Sequence, residues 1–283
     1  KVYKKGLTLD QVLATDTTPL VREIVSGTLR HHYSLSKRID ALLSRKLRGK
    51  DTDVRCLLLI GAYQLVHTRI PDHAAVAETV DCVRGLKKPW AKALVNAVLR
   101  NLPEPSADWP ATARYDHPEW FINALRNAVP DNWEGVLQAN NSRAPMTLRV
   151  NVRKIDTESY KLKLINAGID FTVGLLPETI QLSVPQPQDK LPGYHEGLVA
   201  VQDAGAQLAA ALSCPAEGAR VLDACAAPGG KGFHLLERNP HIRLRMQDSS
   251  ENRVTTLREQ AERLGHSSAL QIRHSDSSLA RGS

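Results

Sequence analysis

The stretch best equipped for chemistry is Val221-Leu-Asp-Ala-Cys-Ala-Ala-Pro-Gly-Gly-Lys. An apolar run ends at Asp223, a turn follows through Cys225, Ala226, Ala227, Pro228, Gly229 and Gly230, and Lys231 opens a segment of helical character. Glycine has no Cβ, so such a backbone can approach a ligand closely. The N–H groups at a helix start, with the helix dipole, favour an anionic or polar group. In open α/β sheets, ligands lie at the carboxyl ends of the strands. The pattern therefore predicts a nucleotide-like cofactor site. A phosphate-binding P-loop needs Gly six residues before the Lys and Ser or Thr after it, positions held here by Cys225 and Gly232. The dinucleotide pattern G-x-G-x-x-G is also absent. Asp248 ends the next predicted strand, where an acid can accept hydrogen bonds from ribose hydroxyls. Asp276 ends the third, in the place to hold an adenine amino group. Acids after three successive strands predict an adenosyl ligand without phosphates.

These residues need a frame. From about residue 198 the sequence alternates: a helix over 202–212, a buried strand over 220–226, a helix over 231–238, a strand over 242–247, a helix over 251–264 and a strand over 269–274. That β-α-β-α-β order predicts a parallel sheet with right-handed crossovers. Buried parallel strands are nearly all apolar, so Arg243, Arg245 and Gln247 predict a desolvation cost. Upstream, Met146-Thr-Leu-Arg-Val-Asn alternates as a strand does, 157–167 has helical character and Ile180-Gln-Leu-Ser-Val reads as a further strand, together a small α+β region. Pro103, Pro105, Pro110 and Pro118 mark a linker. It is followed by short helices over 120–129 and 133–140. Residues 1–102 read as a helical bundle. Asp16-Thr-Thr-Pro starts a helix with a Thr cap, Val54, Leu57, Leu58, Gly61 and Leu65 form a stripe, and Trp90, Leu94, Ala97 and Val98 form another. The expected division is 1–102, 103–197 and 198–283.

The chain has 283 residues, 37 Lys and Arg against 30 Asp and Glu, and a formal charge of +7. A basic balance suits a polyanionic partner. Cys56, Cys82, Cys214 and Cys225 show no CxxC pairing, so neither a zinc site nor a disulfide framework is expected, and the compartment reads as reducing cytosol. No apolar run approaches the roughly 20 residues that span a bilayer. No membrane and no metal are expected. The protein reads as a monomer, with association possible through the open edge of the sheet.

Asp223-Ala-Cys-Ala-Ala-Pro-Gly-Gly-Lys resembles the S-adenosylmethionine loop of the RNA cytosine-C5 methyltransferases, nearest by motif to the Sun/Fmu group acting on 16S ribosomal RNA. Val201-Gln-Asp-Ala-Gly-Ala-Gln is similar to that family's V-Q-D-x-x-[AS]-Q segment, and Pro145-Met-Thr-Leu-Arg-Val-Asn to its P-x-x-[LW]-R-[VI]-N strand. Thr68-Arg-Ile-Pro-Asp-His-Ala-Ala-Val-Ala-Glu-Thr-Val and Val95-Asn-Ala-Val-Leu-Arg-Asn resemble the NusB-like RNA-binding helical domain. The resemblance implies a multidomain chain: an all-α NusB-like bundle, a small α+β RNA-binding region, and the first half of a Rossmann-like α/β methyltransferase domain. It implies S-adenosylmethionine as cofactor and small-subunit ribosomal RNA as partner. Residues Asp223 and Cys225 to Lys231 would hold the methionine and ribose part, Asp248 the ribose, Asp276 the adenine, and Arg253 a further contact. Gly232 stands where the family usually has Thr. The family's reaction uses two cysteines, in Pro-Cys and Thr-Cys motifs after strands four and six. Neither motif occurs here, so no catalytic residue is assigned, Cys225 is read as lining the loop, and the chain is expected to be truncated and inactive alone.

Other residues admit plainer readings. His31-His32 reads as a partly exposed helix end. Arg45, Lys46, Arg48 and Lys50 form either a phosphate-binding face or a solvated helix end. Arg84, Lys87, Lys88, Lys92 and Arg100 are placed at an RNA contact, and Trp90 and Trp120 in core or interface packing. Two competing functions remain: a non-catalytic helical RNA-binding protein with a vestigial cofactor fold, and an unrelated nucleotide-binding α/β protein.

Overall fold

The computed structural model describes residues 2–9, 12–13, 17–47, 49–267 and 270–276. Asp16, Arg48, Ala269 and the 277–283 tail, which entered the sequence reading, lie outside the described residues. The chain divides into two compact units, 1–143 and 144–283.

The first unit is helical: α1 (Val2–Lys5), α2 (Pro19–Arg30), α3 (His32–Asp40), α4 (Thr52–His67), α5 (Asp72–Asp81), α6 (Ala91–Arg100), α7 (Ala111–Tyr115), α8 (Glu119–Ala128) and α9 (Trp133–Asn141). Thr18 is the residue before α2, but its side chain makes no capping bond; Pro19 supplies the preset first turn. Helix α4 is the centre of the bundle. Its Val54, Leu58 and Ala62 are fully buried and pack with Leu35 and Ile39 of α3 and Val95 of α6.

Two expectations need correction here. The stripe of α6 is Ala91, Val95, Val98 and Leu99, while Ala97 is exposed and Trp90 is 52% exposed. Trp120 is 71% exposed, so neither tryptophan is a core residue. The prolines of 103–118 also do more than break structure. Pro110 and Pro118 directly precede α7 and α8, where a residue without an N–H removes no helical bond. Asp116, in the left-handed conformation after α7, accepts from the Ser34 backbone N–H (2.7 Å) and hydroxyl (2.8 Å) at the start of α3. Residues 103–143 thus sit within the helical unit.

The second unit holds two sheets. One is antiparallel, in the order β2-β3-β1-β4, from β1 (Met146–Val150), β2 (Phe171–Val173), β3 (Thr179–Leu182) and β4 (Val199–Val201), with α10 (Thr157–Asn166). The other is parallel, in the order β5-β6-β7, from β5 (Arg220–Asp223), β6 (Arg243–Asp248) and β7 (Leu270–His274), with α11 (Ala204–Ser213), α12 (Gly230–Arg238) and α13 (Glu251–Leu264). The predicted β-α-β-α-β order is present. Asp156 and Asp203 cap α10 and α11 by accepting the N–H groups of Ser159 and Ala206.

Strand β5 is not buried as expected. Leu222 is 55% exposed, and its cross-strand neighbour Arg245 is exposed with Gln271 beside it. Arg243 and Arg245 therefore carry no desolvation cost, because strand alternation points them to the exposed face. The opposite face buries Leu244 and Met246 against Phe233, Leu236, Leu257 and Leu264.

The two sheets are joined through α12. Arg149 of β1 is fully buried and binds Glu237 of α12 through Nε and Nη2, both at 2.7 Å. Its Nη1 donates to the Gln202 side chain and to the Gly230 carbonyl (2.6 Å). Glu237 is equally buried and takes a further contact from His266 (3.4 Å). Removing one partner of a buried pair strands the other charge in a low-dielectric site. Glu237→Ala should lower the stability of this unit by about 3–5 kcal/mol in urea unfolding, and Arg149→Met with Glu237→Leu should recover most of that loss.

Candidate cofactor-binding site

The site lies at the carboxyl ends of the parallel strands. Strand β5 stops at Asp223, the chain turns, and α12 begins at Gly230. The turn is closed by its own backbone: Gly229 N–H donates to the Ala226 carbonyl, and Ala226 N–H donates to Gln247 of β6 (3.0 Å). Gly229 has φ +104°, and a Cβ there would lie 2.0 Å from the Phe233 ring. Only glycine fits this position. At Gly232, noted where Thr is usual, a Cβ would lie 2.6 Å from Met246 Cε, the flexible end of that side chain, and 3.2 Å from an Asp223 carboxylate oxygen.

Asp248 ends β6 and is 3% exposed. One of its oxygens accepts the Ala227 N–H (3.3 Å) and the other the Ser250 N–H (3.2 Å). A carboxylate accepts about four hydrogen bonds, so acceptor capacity remains. Arg253 of α13 donates to the Ala227 carbonyl (2.7 Å) with Nη1 3.7 Å from Asp248, strapping the turn to β6. Burial pushes the Asp223 carboxyl above its ordinary range; the N–H groups of Cys225 and Gly232 and the Lys231 charge oppose this, and the Asp248 charge adds to it. Ala226, Ala227 and Gly229 are buried, whereas Cys225, Pro228 and Lys231 are exposed. Asp276, exposed, lies two residues beyond the end of β7, whose His274 is the cross-strand neighbour of Asp248. The structure thus gathers the loop, Asp223, Asp248 and Arg253, and sets Asp276 at the same end of the sheet.

Sequence reasoning assigned no role to the residues that hold this loop from behind. Gln202 and Arg149, quoted only as parts of motifs, bind each other, and Arg149 holds the Gly230 carbonyl. Glu178, preceding β3, accepts from His234 (2.8 Å) and Arg238 (2.5 Å) of α12. Burial alone would raise the Glu178 carboxyl; the hydrogen bonds from His234, its own backbone and Arg238 outweigh it and hold the group at about 2.

Three of the five basic residues placed at an RNA contact, Arg84, Lys88 and Arg100, are engaged within the helical unit. Arg84 pairs with Asp81 (3.0 Å), Arg100 bonds Asn96, and Lys88 binds Asp53 (2.6 Å) and Asp51 (3.1 Å). His31 stacks on His67 with ring centroids 3.9 Å apart and bonds Asp116 (3.0 Å). Burial, then the neighbouring His31 charge, lowers His67 to about 4.

Residues 3–104 match the NusB family, residues 117–189 the RsmF/B-like ferredoxin-like domain, and residues 210–281 the 16S rRNA methyltransferase RsmB/F family. The probable ribosomal RNA small subunit methyltransferase B of Coxiella burnetii is 40% identical over 275 residues, covering 94% of this chain and 64% of the relative. The chain belongs to the RsmB/F methyltransferase family. The ribosomal RNA small subunit methyltransferase B of Escherichia coli O1:K1 is 40% identical over 263 residues, 91% of this chain and 61% of its own length. The chain thus spans less than two thirds of the length of these curated relatives. The crystal structure of PH0851 shares the fold, with a TM-score of 0.74 at 20% identity over 95% of this chain and 63% of that one. The expected architecture holds: a NusB-like bundle, a small ferredoxin-like α+β region and part of a Rossmann-like methyltransferase domain, here of the RsmB/F type.

Two outcomes follow from this geometry. Gly229→Ala should distort the turn and lower the stability of the unit by at least about 1–3 kcal/mol in urea unfolding, the scale of a strained backbone position. Because the Glu178 carboxyl is depressed, its contribution is complete above its ordinary value of 4.5 and is lost as pH falls toward about 2. The stability gap between the parent and Glu178→Gln should therefore be widest above pH 4.5 and close toward pH 2.

Proposed function

We propose that this chain is the RNA-binding and cofactor-binding part of an S-adenosylmethionine-dependent methyltransferase that acts on C5 of cytosine in 16S ribosomal RNA, working in the cytoplasm. The observation that carries the reading is the turn from Asp223 to Gly230: a glycine whose Cβ would strike Phe233, the start of α12, and two carboxylates at the adjoining strand ends. This set fits an adenosyl amino acid better than a nucleotide triphosphate. The helix start offers N–H groups to a carboxylate. The acids suit ribose and adenine donors, and would repel phosphates.

Lys231 and the N–H groups at the head of α12 bind the methionine carboxylate in this reading. Asp223 and Asp248 accept from polar hydrogens of the cofactor, with Asp248 on the ribose and Asp276 on the adenine amino group. Cys225, Ala226, Ala227 and Pro228 line the loop, and Arg253 keeps the turn against β6. Bound S-adenosylmethionine supplies an activated methyl group. No catalytic residue is assigned: none of the four cysteines follows Pro or Thr. No helix of the described residues is long and apolar enough to cross a membrane.

Calorimetric titration of S-adenosylmethionine into the chain should show saturable one-to-one binding, with Asp248→Asn weakening it by roughly tenfold, the worth of a lost hydrogen bond to a charged group. Absence of binding by the folded protein would reject the cofactor assignment and favour the non-catalytic RNA-binding reading.

A further inference from the structure

A cavity of about 570 Å³ opens in the helical unit between residues 42–47 and 50–51 and the head of α6. Its apolar floor includes Leu47 and Leu94, and its rim carries Arg45, Lys46, Lys50 and Trp90. The sequence kept the basic run and the tryptophan apart, the first as a solvated helix end or phosphate face and the second in core or interface packing. The fold puts them around one opening. Trp90 is 52% exposed and all three cations are exposed.

The opening is held in shape by one lysine. Lys88 donates to the Lys50 carbonyl (2.6 Å) and pairs with Asp51 and Asp53, tying the 49–53 turn to the residues before Trp90. Lys88 sets one positive charge against these two carboxylates, of which Asp51 lines the same cavity, and Arg45, Lys46 and Lys50 outnumber the negative charge that remains. The rim is left with a net positive charge beside an exposed indole. An exposed indole beside exposed cations suits a planar base flanked by phosphates. The volume is at the scale of one small ligand, not of a peptide helix lying along a groove. A base hidden in a duplex offers no face to an indole, so the fitting form is unpaired RNA.

We propose that this cavity takes one unpaired nucleotide of single-stranded RNA, with the base on Trp90 and the flanking phosphates on Arg45, Lys46 and Lys50. The proposal rests on the RNA reading given above for its partner class, and on the cavity for its place. The site lies within the helical unit and uses none of the residues assigned to the cofactor.

The test is fluorescence anisotropy of the whole chain with a short labelled unpaired RNA, and with the same sequence as a duplex. Unpaired RNA should bind tighter. Trp90→Ala should weaken it by roughly tenfold, the effect of losing one stacked base, while Trp90→Phe keeps most of the affinity. Lys50→Gln should flatten the salt dependence by about 0.7 in log–log slope, one phosphate contact on a single strand. Circular dichroism confirms that each variant is folded. Equal affinity of Trp90→Ala and the parent overturns the proposal, as does equally strong competition by polyglutamate at matched charge, which would make the opening a site for acidic peptides. Titration of S-adenosylmethionine into the same preparations separates the two readings. Cofactor binding with no Trp90 effect rejects only the nucleotide site. A Trp90 effect without cofactor binding rejects only the cofactor site.

Discussion

The second unit depends on a guanidinium with no access to water. Arg149 lies in the middle strand region of the small sheet, yet its bonds go to α12 and to the turn that opens that helix. A charge so placed is tolerated only when its donors are satisfied. Four of its five N–H hydrogens can be accounted for by bonds to Glu237, Gln202 and the Gly230 carbonyl. Helix α12 cannot rotate or slide without breaking this set, and Glu178 grips the same helix through His234 and Arg238. The small sheet is in this sense the clamp of the glycine turn that opens α12.

The clamp bears on chemistry through preorganisation. A turn that must present N–H groups to a ligand loses less entropy on binding if it is already held. Here it is held from β1 through the Gly230 carbonyl, from β6 through Ala226 and Asp248, and from α13 through Arg253. Three independent elements converge on about six residues. The ferredoxin-like region accordingly has a structural task beside any contact with RNA.

Much of this was legible because the signals are local. A strand, a glycine turn and a helix lie within twenty residues, and acids at strand ends are counted along the chain. Four features were not legible. Arg149 sits in an alternating pattern that places it in solvent; nothing nearby announces a partner on α12. Arg243 and Arg245 were read with the energetic rule for a sheet covered on both faces, whereas strand alternation here sets them on the exposed face. Pro110 and Pro118 were read as breakers, although proline is equally at home at the start of a helix. Trp90 was assigned to core or interface packing by type, whereas the buried stripe of α6 runs one residue along.

The separation of Arg149 and Glu237 also sets an order of events during synthesis. They stand 88 positions apart along the chain. At about 5–20 residues per second, a ribosome delivers the glutamate roughly 4–18 s after the arginine. Local helices form in about a microsecond, so the helical unit has time to fold while β1 waits. Until α12 emerges, the arginine has no carboxylate to face and the small sheet keeps an uncompensated cation on the surface meant for burial. Burial of Arg149 is therefore coupled to the emergence of α12 and of the glycine turn that opens it.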